Sequence, residues 1–266
     1  MKLINSFSTQ YSSGKHLETN LYCFTLSAYY AKKSGFNIIL YTDNKGKELF
    51  KYSPYDEIIV LDNLNTPNIK LFAYSKFIAM GHSNEGDIHI DGDVFLKKDS
   101  LKDLIHTNDC DIIVQSVEHK EIHSTNNWNA EIEACSNCHL PSFMNKDLPK
   151  MYNCGIVGFK NKDIMKEYHD YYFYLSDQFI QYGKMIDAVP ELIIEQQLLY
   201  DFAKYKNLKV KEILDWRRIN TNANEIGYQH LLGKSKYKNL DKVKTTLKKL
   251  DINLYNKINK HYELFK

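Results

Sequence analysis

Over its first two thirds the chain alternates short apolar runs with longer stretches whose apolar residues recur every three to four positions. That alternation predicts strands interleaved with helices. "KLINSF" reads as a first strand. "NLYCFTLSAYYAKKSG" reads as a helix, with Leu21, Phe24, Ala28 and Ala31 on one face and Gly35 as its stop. "FNIILYTD" carries an unbroken apolar run, as strands do in a sheet covered on both faces, and "DEIIVLD" is another strand. Thr66 and Pro67 are placed as N-cap and first residue of a helix that stops at Gly81. "DIHIDGDVFL", a short helix near "SLKDLIH" and the strand "CDIIVQSV" follow. Residues 118–150 are irregular and polar. "YNCGIVGF" is a strand, and two helices follow, "DIMKEYHDYYFYLSDQF" and "PELIIEQQLLYDFAKY". The pattern predicts an α/β class with a mostly parallel sheet. From Lys234 onward there are ten lysines against three acids, with Leu240, Val243, Leu247 and Leu250 at helical spacing. This predicts a basic helical tail whose apolar stripe packs on the rest of the chain; docking on anionic lipid is the other use of such a tail.

Composition narrows the function classes. In 266 residues, 43% hydrophobic, there is enough apolar material for a sizeable core. A formal net charge of +2 carries no nucleic-acid footprint. No apolar stretch approaches a membrane span. The start has one lysine and a short apolar run, unlike a signal peptide. Five cysteines, an odd number, argue against a disulfide framework, and the expected setting is a reducing cytoplasm.

One stretch decides the chemistry. "IHIDGDVFLKK" (Ile88 to Lys98) holds two aspartates one glycine apart. Asp-Gly between apolar residues is a hairpin signal. Two carboxylates at a strand end are also a clamp for Mg²⁺ or Mn²⁺, and ligands gather at the carboxyl ends of strands in open α/β sheets. Phe95 stands where an EF-hand loop needs an oxygen. Four companions favour the clamp. Lys76 falls inside the apolar arc of its helix, where it must snorkel or meet an anion. Glu195 points into an apolar face, where a carboxylate needs a partner. Asn153 and Gly155 interrupt a strand, which suggests a bulge or a close approach of the backbone to a ligand. His230 can complete a metal shell, and Gly233 with Lys234 or Lys236 can offer amides and an ammonium to a diphosphate.

This ordered set resembles the GT-A fold glycosyltransferases, most nearly family eight, the glycogenin and lipopolysaccharide galactosyltransferase group, from about residue 2 to 236. The resemblance implies a GT-A domain over 1–236 with the tail, 237–266, packed on it. It places Tyr11 against the nucleotide base and Lys76 on the donor. Asp91, Asp93 and His230 are implied as metal ligands, with Asn153, Gly155 and Glu195 at the transferred sugar and Lys236 on the diphosphate. It implies a UDP-linked hexose donor, Mn²⁺ or Mg²⁺, retention of configuration, and a glycan, lipid or protein acceptor, at the inner membrane surface if the tail docks there. Tyr237 stands where the family has proline, and glutamate replaces aspartate at 195.

Two other readings are set beside it. A nucleotidyltransferase also needs acidic metal ligands, but "SFSTQYSSGK" lacks its glycine-rich loop. "CSNCH" matches a haem-attachment pattern that has no export signal to support it. With His119 and His123, Cys135 and Cys138 offer a structural Zn²⁺ set, as in a non-catalytic interaction module; two reduced cysteines in a loop are the plainer reading.

Overall fold

The alternation of the sequence becomes a sheet with helices on both faces. The computed structural model describes residues 1–99, 101–106, 108–119, 125–144, 150–184, 190–215, 217 and 219–266. In chain order the elements are β1 (Leu3–Phe7), α1 (Gly14–Lys33), β2 (Ile38–Thr42), α2 (Asn44–Phe50), β3 (Glu57–Val60), α3 (Tyr74–His82), β4 (Ile88–Ile90), β5 (Val94–Leu96) and α4 (Leu101–Leu104). Then come β6 (Ile112–His119), α5 (Thr125–Ala134), β7 (Lys150–Phe159), α6 (Lys162–Tyr182), a π-helical turn (Leu192–Gln197) and α7 (Leu198–Tyr205). The chain closes with β8 (Val210–Glu212), α8 (Ile219–Ile226), β9 (Tyr228–His230), α9 (Ser235–Lys238), α10 (Leu240–Leu250) and α11 (Ile252–Phe265).

Seven strands form one sheet in the order β3-β2-β1-β4-β7-β6-β8. β7 runs antiparallel to β4 and β6, and the other neighbouring pairs are parallel. The fold class is therefore α/β, with a mostly parallel mixed sheet flanked by helices. β2 is buried along its whole length, as its unbroken apolar run requires. Ile4, Ile39, Val114 and Val157 face one layer built on Phe77, Tyr168, Tyr172 and Phe202. Leu3, Ile38, Ile88 and Ile156 face the opposite layer with Ala28 and Ala31. The order of strand addition reverses between the parallel neighbours β1 and β4: β2 and β3 extend to one side of β1, β4 and β7 to the other. This is the crevice in which open α/β sheets gather ligands. α10 packs against α1 and buries Leu240, Val243 and Leu247. Among the described residues no helix is long and apolar enough to cross a membrane.

Two sequence expectations change, at the starts of α1 and α3. α1 begins at Gly14 rather than at Asn20, because its polar first turn carries no apolar periodicity to read. α3 begins at Tyr74 rather than at Pro67. The Thr66 hydroxyl donates to the carbonyls of Asn68 and Leu71, a local turn that competes with helix, and it leaves Ile69 and Phe72 exposed instead of on a core arc. β4 and β5 do not form a hairpin. β5 pairs antiparallel with β9 in a separate ribbon, Val94 opposite His230. Gly92 serves a close approach: a Cβ there would lie 2.0 Å from the Phe24 ring.

One buried group gives the layer beneath α3 a pH dependence. His169 on α6 sits among the Phe77, Phe159 and Phe173 rings, and its Nε2 has no partner among the described residues. Burial lowers its pKa to about 4, against a small opposing pull from Asp170. The unfolded chain, at about 6.5, takes up the proton first as pH falls. Stability present above pH 6.5 is therefore lost as pH falls towards 4, by about 3 kcal/mol. Urea unfolding at pH 7 and near pH 4 should show this loss in the wild type and a clearly smaller one in His169→Phe.

Candidate active site

Asp91 follows β4, and Asp93 sits one residue before β5, so the ribbon with β9 brings His230 beside both. The backbone secures the approach, because Leu231 N donates to Asp93 O at 3.0 Å. His230 Nε2 lies 3.2 Å from Asp93 Oδ1 and 4.0 Å from Asp91 Oδ2. One ligand atom from each of the three residues lies within 4.8 Å of the others, the one such group among the described residues.

The orientation of the imidazole is fixed from behind. Gln115 Oε1 accepts from Tyr228 Oη at 2.6 Å and lies 2.8 Å from His230 Nδ1. An amide oxygen only accepts, so Nδ1 carries the proton and, in the neutral ring, Nε2 turns its lone pair towards two carboxylates. Three lone-pair donors aimed at one point repel unless a cation, or a proton on Nε2, lies between them. A histidine whose other nitrogen donates to an oxygen is the usual outer arrangement of a metal ligand. The residues fit a divalent cation on chemistry as well as on spacing. Gln115 comes from the point where the β6–β7 register shifts, between Val114 and Ser116, and such irregularities re-aim a side chain. Gly155 admits the ring: a Cβ there would lie 2.5 Å from His230 Cε1 and from Gln115 Oε1.

Lys76 is buried on α3. Its ammonium reaches Glu195 Oε1 at 2.8 Å, Asp91 Oδ1 at 3.0 Å and the Cys154 carbonyl at 3.0 Å, which engages all three protons. Burial acts to lower its pKa, but Asp91 and Glu195 outweigh that and hold it above the ordinary lysine value. Glu195 stands on the π-helical turn, and burial raises its pKa against the opposing pull of Lys76. π-turns recur at functional sites. Lys236 Nζ lies 3.2 Å from Asp93 Oδ2. Burial would raise the pKa of Asp93, yet Lys236 and His230 hold it well below the usual range.

All eleven residues singled out for the metal and donor site (Tyr11, Lys76, Asp91, Asp93, Asn153, Gly155, Glu195, His230, Gly233, Lys234 and Lys236) line one cleft of about 570 Å³. Their surroundings differ. Tyr11 and Lys234 are exposed at the mouth, and Gly233 has a positive φ of 55° there. Asn153 is less available to a sugar than the resemblance implied. Its Nδ2 donates to Glu118 Oε1 at 2.7 Å, and its Oδ1 accepts from Gly155 N at 3.0 Å. Cys135 and Cys138 share a thiol hydrogen bond. No cluster of three metal-ligating side chains forms around them among the described residues, and His123 lies outside those residues.

Sequence reasoning missed His89, Gln115 and Glu191. His89 Nε2 lies 3.0 Å from Ser6 Oγ, and its Nδ1, with no hydrogen-bond partner among the described residues, faces Asp91 Oδ1 at 3.7 Å. Burial, then Lys76, keeps the ring neutral. Glu191 is fully buried and accepts from Ala73 N at 3.0 Å, tying the segment before α3 to the π-turn. A polar residue alone in an apolar strand, as in "IHI" and "IIVQSV", was the available signal for the first two.

Residues 1–264 match a family of unknown function (DUF6734). No curated protein matches the sequence significantly. Solved structures similar to this chain include galactosyltransferase LgtC in complex with donor and acceptor sugar analogs, at 9% identity over 80% of this chain and 73% of that one, with a TM-score of 0.43. HddC from Yersinia pseudotuberculosis is 12% identical over 91% of this chain and 98% of that one, with a TM-score of 0.43. The 4-diphosphocytidyl-2C-methyl-D-erythritol synthase from Anaerococcus prevotii is 10% identical over 85% and 98%, with a TM-score of 0.39.

Proposed function

The chain belongs to DUF6734, a family of unknown function, and we propose that it is a metal-dependent glycosyltransferase of GT-A type that moves a hexose from a nucleotide-diphosphate sugar, UDP-linked, to an acceptor. The observation that carries this reading is the Asp91, Asp93 and His230 set at the end of β4, with the histidine tautomer fixed by Gln115. These three residues would hold the cation. When bound, Mn²⁺ or Mg²⁺ supplies electrophilic stabilisation of the departing diphosphate.

The rest follows from the chain's own groups. Lys236 and Lys234 bring ammonium charge to the diphosphate side of the cleft. Tyr11 offers its exposed ring to the base. Glu195, held by Lys76, presents a buried carboxylate where positive charge develops on the anomeric carbon, and retention of configuration is the outcome proposed. Asn153 orients the cleft wall through Glu118 and the Gly155 amide. The segment from β1 to α1 has no glycine before Gly14, which disfavours nucleotidyl transfer.

Calorimetric titration of UDP is the test. Binding is expected with Mn²⁺, and at least about tenfold weaker binding once the metal is removed by chelation. Equal binding in both conditions, or none in either, removes the reading. With a UDP-sugar, release of UDP supports glycosyl transfer, and release of pyrophosphate from a nucleoside triphosphate would replace it with nucleotidyl transfer.

A further inference from the structure

The mouth of the same cleft is apolar. Ile69 and Phe72 are each 59% exposed, and Leu232 is 52% exposed. They come from two distant stretches, the turn before α3 and the loop after β9, yet all three line the cleft that holds the carboxylates. Single exposed apolar residues are ordinary; several meeting at one opening from separate parts of the chain mark a contact surface. Glu191 contributes to this display, because its bond to Ala73 N holds the segment that carries Ile69 and Phe72.

The charge beside the rim is basic. Lys234, two residues after Leu232, is exposed and lines the same cleft, as does the half-buried Lys236. The floor is ionic and hydrogen-bonding, and the rim is apolar with a cationic border. An amphiphile whose polar head reaches the floor and whose apolar part stays outside matches both levels.

We propose that the acceptor is an amphipathic lipid presented at an anionic membrane surface, with Ile69, Phe72 and Leu232 entering the interface as the cleft opens onto the head groups. The inference rests on the glycosyltransferase reading and supplies its acceptor class. Burial of exposed apolar side chains, combined with attraction of lysines to anionic lipid, is the way interfacial proteins bind.

Flotation with vesicles of phosphatidylcholine, with and without phosphatidylglycerol, tests it. The wild-type protein should float with the mixed vesicles. The triple variant Ile69→Ser, Phe72→Ser, Leu232→Ser should lower the bound fraction about tenfold, with unfolding temperature and Mn²⁺-dependent UDP binding unchanged. A wild-type protein that does not float overturns the proposal. So does a triple variant that floats as well as wild type, which would put the affinity in the basic tail. Self-association of the wild type, lost in the triple variant and without flotation, would assign the rim to a protein contact and also overturn it. UDP binding separates the two levels: flotation can fail while metal-dependent UDP binding holds, and then only the acceptor class falls.

Discussion

Replacing Asp93 by alanine is expected to abolish Mn²⁺-dependent UDP binding, a loss of at least about a hundredfold in affinity, beyond the range seen when only a hydrogen-bond partner of a metal ligand is removed. Asp93 places one oxygen 3.2 Å from His230 Nε2 and the other 3.2 Å from Lys236 Nζ. Its removal takes away one ligand and also leaves two cationic or cation-seeking groups facing each other. The backbone bond from Leu231 N to the carbonyl of residue 93 does not depend on the side chain, so the β5–β9 ribbon persists. The expected result is a folded protein with near-native circular dichroism that binds neither metal nor UDP in calorimetry. Unchanged metal-dependent binding would remove Asp93 from the ligand set.

The largest stability effect is expected at Lys76. Lys76→Met keeps the length of the side chain and removes the cation shared by Asp91 and Glu195, which belong to elements far apart in the chain. Removing one partner of a buried ion pair destabilises by about 3–5 kcal/mol, because the other charge is left without compensation. For a chain of this size that corresponds to a fall in unfolding temperature of roughly 10 °C. Glu195→Gln should cost less, because it keeps an oxygen for the Lys76 ammonium while Asp91 and the Cys154 carbonyl hold the other two protons. Chemical denaturation of both variants checks the order; a Lys76→Met protein as stable as wild type would show that the ion pairs to Asp91 and Glu195 return no more than their desolvation costs.

The sequence carried strand identity well, because an unbroken apolar run such as Ile38–Thr42 has few other solutions than a covered strand. It also carried the cleft: Lys76 and Glu195 break the apolar pattern of their helices, and the order of the Asp-Gly-Asp, Asn-x-Gly and His-x-x-Gly-x-x-Lys motifs along the chain singled out Asp91, Asp93 and His230. It did not carry the pairing of β5. Asp-Gly beside alternating apolar residues has a local optimum in a hairpin, and only a strand far along the chain, Tyr228–His230, outcompetes it. The turn at Thr66 was misread for a related reason: the residue that caps a helix can use the same hydroxyl to hold a turn. His89 and Gln115 went unread because one polar residue in an apolar strand reveals nothing about the partner it faces.

The β5–β9 ribbon also sets an order of events during synthesis. Asp91 and Asp93 emerge from the ribosome long before His230, and the six strands from β3 to β6 in the large sheet can associate without waiting for it. The chain therefore passes through a stage with its scaffold largely built and its metal set two-thirds complete. During that stage the paired carboxylates lack both the imidazole and Lys236. The ribbon also acts as a phase lock. Inserting or deleting one residue between Tyr228 and His230 would turn the histidine to the opposite face of a strand whose side chains alternate. Such a change would leave the main sheet standing and dismantle the site.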